Sequence, residues 1–353
     1  MKKVLLGMSG GVDSSVAAYL LQKEGYEVIG LHFSLTKKKE NLADLDAVCK
    51  RLNIKYYVAD FSKIFQEKVF TPFLDEYKAG NTPNICVLCN KYIKFGALYD
   101  KAKELGCDYL STGHYCSLEE RAGRTCLVKA KDSKKDQTYF LNRVSEEVLK
   151  KTLFPLYGYT KEEVRKIAED NDIPTASKKD SSDVCLAEGR KFVDFLAEYL
   201  PSKQGDIVSD KGEKVGRHDG LFRYTLGQRK GLNLGGKKGE DGRWFVIKKD
   251  GAKNVLYVSH GDESSLMSKT FAVCDLNFIT PPEKTVFECT VKTRYRATEK
   301  AATVTVFNDG KNARVCLKEG DRAITIGQYA VFYSDGVCMG GGKIVSVDCN
   351  EQP

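Results

Sequence analysis

The chain has 353 residues, 42% hydrophobic and 29% charged, with a net charge of +8. That length implies two or three domains of ordinary globular composition, and no apolar run approaches the roughly 20 residues of a membrane span. Twelve cysteines without a secretory leader argue against a disulfide framework and for a reducing, cytoplasmic setting; Val4–Met8 is too short for a leader's apolar core. The positive balance leans toward polyanionic partners, and a soluble protein that is merely basic fits it as well.

In chain order, "KKVLLGM" reads as a buried strand and Ser14–Glu24 as a helix with Val16, Ala17, Leu20 and Leu21 on one face. "YEVIGLHF" is a second strand, "ENLADLDAVCKRL" a helix, "KYYVAD" a third strand, Ser62–Tyr77 a helix, and "CDYLSTGHY" a fourth strand with a loop. This rhythm predicts an α/β domain with a parallel sheet wrapped by helices, and ligands beyond the carboxyl ends of its strands. Residues 160–200 read as helical, with a capping-box pattern at Thr160 and Glu163. After Pro201, alternating runs such as "RWFVIKK", "FECTVKTRY" and "YAVFYS", separated by turns such as Asn308-Asp309-Gly310, predict an all-β remainder ending in a barrel. The expected division is 1–200, then a small β-rich unit at 201–270, then a β-barrel at 271–353.

The turn "GMSGGVDSS" (7–15) joins the first strand to the first helix. Glycines, hydroxyls and a helix N-terminus make an anion site; a tight turn needing glycine for geometry alone is the plainer reading. The lysine of a Walker A loop is missing. A carboxylate, Asp13, beside phosphates implies a bridging Mg²⁺. Ser-Gly-Gly-Val-Asp-Ser resembles the PP-loop of ATP pyrophosphatases, which adenylate a substrate and release pyrophosphate. On that resemblance Gly7, Met8, Ser9, Gly10, Gly11, Val12, Asp13 and Ser14 line ATP.

"TPNICVLCNKYIKFGAL" (82–98) holds Cys86-x-x-Cys89, ahead of a helix expected to begin at Asn90, and "DSSDVCLAEGRKF" (180–192) holds Cys185. Loop cysteines near a helix N-terminus and near Lys91, Lys178, Lys179 and Arg190 tend toward the thiolate; chance spacing in a cysteine-rich chain is the alternative. A structural zinc site lacks a fourth ligand at the usual spacing.

These segments, with "TGHY", "KDQTYFL", "LPSKQGDIV", "YTLGQRKGL", "TVKTRYR" and "GQYAVFYSDGVCMGGG", are similar in order, over nearly the whole length, to the bacterial tRNA-specific 2-thiouridylase family. The resemblance implies adenylation of the wobble uridine's C2 oxygen by ATP, then displacement of AMP by sulfur. It implies Cys89 as nucleophile and Cys185 as persulfide carrier, with a disulfide between them closing the turnover. Gly113 then borders ATP and His114 faces tRNA, or His114 is a loop histidine satisfied by backbone. Lys135, Asp136 and Gln137 contact tRNA, the last two reading base edges or bracing the loop, or the segment is a solvated charge cluster. Asn84, Cys86, Arg294, Tyr295 and Gln328 complete the implied tRNA contacts. The implied partners are tRNAs for Lys, Glu and Gln and a sulfur donor protein or sulfide, with no membrane.

Two positions depart from the family pattern. Cys86 stands where Asn-Pro-Asp-x-x-Cys has its aspartate, which puts that aspartate's role in doubt and creates a three-thiol set, Cys86, Cys89 and Cys185. Such a set holds either a [4Fe–4S] cluster or persulfide chemistry without metal. Phe33 takes the position of a methionine expected at adenine, where it stacks on the base or is simply a buried strand residue. Two rival functions remain at this stage. One is a PP-loop ligase acting on a small carboxylate or amide; the other is a non-catalytic RNA-binding iron–sulfur protein.

Overall fold

The structure is a computed structural model, and it describes residues 1–37, 41–179, 185–187, 190–235 and 242–348. Residues 180–184 and 188–189 of the "DSSDVCLAEGRKF" segment around Cys185 lie outside the described residues.

Five parallel strands form the first sheet: β1 (Lys3–Gly7), β2 (Glu27–Ser34), β3 (Lys55–Asp60), β4 (Tyr109–Ser111) and β7 (Thr152–Leu153), in the order β3-β2-β1-β4-β7. The order reverses beside β1, which places a crevice between the ends of β1 and β4. Val4, Leu5 and Leu6 are fully buried, the continuous apolar run of a central strand covered on both faces. On one face they meet α1 (Val12–Lys23) and α2 (Ala43–Leu52) through Val16, Ala17, Leu21, Leu45 and Val48. On the other, Leu5, Leu31 and Leu110 pack on Val87, Phe95 and Leu98 of a long helix.

That helix departs from expectation. It begins at Ile85 rather than Asn90 and runs through Ile85–Cys89, Asn90–Ala97 and Leu98–Glu104. Its start is set by Asn84, whose Oδ1 accepts the backbone N–H of Cys86 at 3.1 Å and of Val87 at 3.4 Å. Both cysteines of Cys86-x-x-Cys89 therefore lie on the first turns of a helix instead of in a loop. The stretch Asn90–Ala97 is π-helical. Residues 160–200 are less helical than expected: the described helices there are Lys161–Asp170, with the capping box of Thr160 and Glu163 formed, a short turn at Cys185–Ala187, and Phe192–Leu196.

The all-β remainder forms two sheets. β8 (Gly205–Ser209), β9 (Lys214–His218), β10 (Trp244–Asp250) and β11 (Val255–His260) make a four-stranded sheet around Ile207, Trp244, Val246, Leu256 and Val258. β12 (Met267–Phe278), β13 (Val286–Lys292), β14 (Lys300–Val306), β15 (Ala313–Arg322), β16 (Tyr329–Ser334) and β17 (Val337–Asp348) close on themselves through the β12–β17 pairing. Phe271, Val291, Val304, Val315, Phe332 and Ile344 fill that barrel.

Sequence reading does not find the hairpin β5 (Ser117–Arg121) and β6 (Arg124–Val128). It leaves the N-terminal unit and extends the barrel sheet, with Val128 and Leu127 paired to Val337 and Cys338 of β17. Tyr139 and Leu141 share one core with Tyr329, Val331 and Cys338, and the Tyr139 hydroxyl donates to the Tyr329 carbonyl at 3.0 Å. The barrel is thus fixed onto the domain that carries the glycine turn.

Candidate active site

The turn after β1 holds Gly10 at φ +69°, in the left-handed region, and Gly11 as the residue before α1. The serine hydroxyls also bond within the turn. Ser14 Oγ and Ser15 Oγ donate to the Gly11 carbonyl at 3.0 and 2.9 Å, and Ser9 N–H donates to Ser14 Oγ at 3.3 Å. The backbone of the turn and the α1 N-terminus remain the anion donors.

Asp13 Oδ1 accepts from Lys161 Nζ at 2.6 Å and from the Tyr115 hydroxyl at 2.7 Å. Neither partner is found by sequence reading, because the contact is made by chain positions far from the turn. Lys178 adds a second clasp: its ammonium donates to the Gly10 carbonyl at 3.0 Å and to Asp44 at 2.6 Å. Lys161, at the start of the helix Lys161–Asp170, and Lys178 beyond it thus hold the turn and its aspartate from one segment.

A cleft of about 220 Å³ opens beside this turn, lined by Gly7, Met8, Ser9, Asp13, Ser14, Phe33, Gly113, His114 and Gln137, with His32, Lys94, Leu98 and Thr112. It lies at the ends of β1, β2 and β4, where the strand order reverses. Phe33 stacks on Phe61 at 5.6 Å while keeping part of its ring in the cleft. His114 is 6% exposed and faces this cleft; its Nδ1 lies 2.8 Å from Thr112 Oγ1. Burial first, and then the nearby Lys94 charge, hold its imidazole well below the usual histidine range, so it is neutral.

Cys86 and Cys89 lie in an apolar cluster that also takes in Phe33 of the cleft lining. Cys89 packs with Ile85, Ile93, Leu186 and Phe195, and Cys86 borders the same cluster. Burial pushes the Cys86 thiol up to about 11 and the Cys89 thiol up to about 12; Lys94 opposes this in both, and Cys185 raises both further. Cys185 itself is exposed. The expected thiolate tendency of the pair is thus reversed in this structure, because helical burial outweighs the neighbouring cation. Asp13 is the carboxylate of the cleft and suits a divalent cation shared with phosphates. The three thiols are different: among the described residues no three His, Cys, Asp or Glu side chains converge to hold a metal ion, so the cluster reading does not fit this arrangement.

Of the residues expected at tRNA, Arg294 is exposed and Tyr295 half-buried, in the turn after β13 rather than on a strand. The Tyr295 ring lies 4.3 Å from that of Phe140. Lys135 is half-buried. Asp136 is 5% exposed and accepts from Ala130 N–H at 3.1 Å and Thr138 Oγ1 at 2.7 Å, so it braces its loop. Gln137 Oε1 accepts from Tyr115 N–H at 3.0 Å, and the residue also lines the cleft.

Gln328 makes a contact within the protein. Its Nε2 donates to the Thr82 carbonyl at 2.7 Å, while Thr82 N–H donates to the Ile326 carbonyl at 3.1 Å and Lys249 Nζ reaches Thr82 Oγ1 at 3.2 Å. Barrel and central sheet together grip the segment leading to Asn84. Asn84→Ala is expected to lower stability by about 1 kcal/mol through loss of the cap and to loosen the turn carrying Cys86; urea unfolding and amide exchange at Cys86 and Val87 measure both.

Three family models match the chain in sequence: "tRNA methyl transferase HUP domain" over residues 2–189, "tRNA methyl transferase PRC-barrel domain" over 193–260 and "Aminomethyltransferase beta-barrel domain" over 268–344. A protein of Oceanobacillus iheyensis named tRNA-specific 2-thiouridylase MnmA is 46% identical over 361 residues, covering 99% of this chain and 96% of its own. Proteins of the same name from Alkaliphilus oremlandii and Proteus mirabilis are each 46% identical, covering 97% of this chain and 96% and 97% of theirs. The domain descriptions speak of methyl transfer, whereas these full-length relatives are named for thiolation.

Proposed function

The chain belongs to the tRNA-specific 2-thiouridylase family, and from that premise we propose that it is a cytoplasmic enzyme that converts the wobble uridine of tRNAs for Lys, Glu and Gln to 2-thiouridine at the expense of ATP. What supports this reading is a PP-loop cleft with Cys86 and Cys89 packed in the apolar cluster that takes in Phe33 of its lining, and with Cys185 next in the chain to Leu186 of that same cluster. A ligase acting on a small carboxylate would have use for the cleft and none for the thiols.

ATP lies with its pyrophosphate against the Ser9–Ser14 turn and its adenine toward Phe33. Asp13 would hold a magnesium ion, which supplies charge neutralisation to the departing pyrophosphate. The chain's own part is positioning and electrostatics. The uridine O2 attacks the α-phosphorus, the bond to the β-phosphate oxygen breaks, and the N3 proton passes to solvent. A uracil oxygen is a very poor leaving group, and AMP is a good one.

Cys185, exposed and therefore open to a donor, carries a sulfane sulfur received from a sulfur donor protein. That sulfur attacks C2, and the C2–O bond breaks with loss of AMP. The Cys89 thiolate then attacks Cys185 Sγ and breaks the S–S bond, which leaves the thiocarbonyl on the base, with N3 reprotonated, and a Cys89–Cys185 disulfide. An external dithiol returns the disulfide to two thiols, supplying the two electrons. Arg294 and Lys135 meet tRNA phosphates and Tyr295 offers a stacking face, so binding weakens with salt. The base is presented from the anticodon loop, where unstacking costs little.

The test is mass spectrometry of wobble nucleosides after incubating purified protein with an unmodified tRNA, ATP, a persulfide donor and a dithiol. 2-Thiouridine is expected only with all components. ATP–pyrophosphate exchange that proceeds without RNA would instead favour the small-carboxylate ligase. Because the Cys89 thiol stands near 12, it is protonated at pH 7. The disulfide-forming step should therefore accelerate about tenfold per pH unit between pH 7 and 9; a flat profile in single-turnover assays would argue that Cys89 is not the attacking thiol.

A further inference from the structure

One cation in the cleft has no role in the scheme above. Lys94 lines the cleft with Asp13, Ser14 and His114, and its charge acts on both Cys89 and Cys86. Among the described residues lining that cleft it is the only lysine or arginine. The neighbouring cations are committed elsewhere: Lys161 pairs with Asp13, Lys178 with Asp44 and Arg190 with Glu198. Two histidines line the cleft as well: His32, whose Nδ1 lies 3.1 Å from the Met8 carbonyl oxygen, and His114, which burial keeps neutral.

The backbone accounts for this placement. Lys94 follows Cys89 by five residues within the π-helical stretch Asn90–Ala97. In an α-helix a residue five positions on points about 140° away. The wider turn, closed by i→i+5 bonds, carries it back over the starting residue. Gly96 permits that turn to close: a Cβ there would lie 3.0 Å from the Lys91 carbonyl oxygen, five residues earlier. One helix thus delivers two thiols to its buried side and an ammonium to the mouth of the nucleotide cleft.

We propose that Lys94 is a catalytic residue of the thiolation, its ammonium standing between the cleft and Cys89 so as to hold the negative charge that builds on the α-phosphate during adenylation and then on the attacking cysteine. This rests on the thiolation reading and adds a group to it. In the first step the ammonium faces the non-bridging α-phosphate oxygens as the bond to pyrophosphate breaks. In the last it faces Cys89 as the thiol loses its proton to solvent. Lys94 remains protonated throughout and enters no covalent bond.

The experiment compares wild type, Lys94→Gln and Lys94→Arg in two assays. The first is tRNA-dependent ATP–pyrophosphate exchange. Lys94→Gln should lose about 10²-fold in rate, and Lys94→Arg should recover at least part of it. The second needs neither ATP nor tRNA: the rate at which iodoacetamide alkylates Cys89 at pH 8.5, read by peptide mass spectrometry. Lys94→Gln should react about threefold to tenfold more slowly, with Lys94→Arg near wild type. Lys94→Gln within about twofold of wild type in either assay overturns the proposal. If the wild type itself showed no exchange while the alkylation difference persisted, the thiolation reading would fail and the placement of Lys94 beside Cys89 would stand.

Discussion

Cys185→Ser is expected to keep tRNA-dependent ATP–pyrophosphate exchange and to lose 2-thiouridine formation by at least on the order of 10³-fold. The two outcomes separate because the residue is exposed, while its buried neighbour Leu186, which packs in the cluster with Cys89, holds the backbone in place. Serine keeps the size of the side chain but cannot carry a sulfane sulfur. Cys89→Ser should give a different defect. Sulfur still attacks C2 and AMP still leaves, yet no thiol cleaves the S–S bond, so protein and tRNA remain joined. That adduct should migrate as one species on a denaturing gel and fall apart with dithiothreitol. Full thiolation by either variant would remove the relay.

Asp13→Ala should reduce exchange by about 10²–10³-fold and also lower folding stability. The second effect follows from the pairing. Lys161 has a side chain only 10% exposed, and its ammonium would lose the carboxylate 2.6 Å away. Asp13 is 36% exposed, so the loss should fall below that of a fully buried pair, at about 1–3 kcal/mol. Asp13→Ala combined with Lys161→Met should recover stability in urea unfolding, since no charge is left unpaired, and should leave exchange dead. Recovery of exchange in the double variant would mean that Asp13 serves only to neutralise Lys161.

Much of this arrangement is legible in the sequence, for reasons that differ by element. β1 is readable because a fully buried strand must be apolar throughout, and the turn after it because glycines and a carboxylate beside a helix N-terminus admit few uses. The barrel strands are readable from their alternation and their Asp-Gly turns. The hairpin at Ser117–Val128 is not, although "SLEERAGRTCLV" alternates. Its two-residue turn, Ala122-Gly123, has both φ positive at 50° and 75°, and alanine there lacks the asparagine or aspartate signature of such turns. The helix start at Ile85 has its sign in Asn84, a capping residue, but the Cys86-x-x-Cys89 spacing suits a loop equally well. Lys161 and Tyr115 on Asp13, and Gln328 on Thr82, are tertiary contacts between remote segments, which no local pattern encodes. Lys94 required knowledge of a π-turn, whose only trace in the sequence is Gly96.

The pairing of β6 with β17 also has a bearing on how the chain is made. Val128 leaves the ribosome long before Val337, its partner in the register. Until then the nascent hairpin has an open edge, and Tyr139 and Leu141 lack the barrel residues that cover them. A polypeptide whose translation stops short of β17 would carry that sticky margin into the cell, where chaperones and proteases recognise such surfaces.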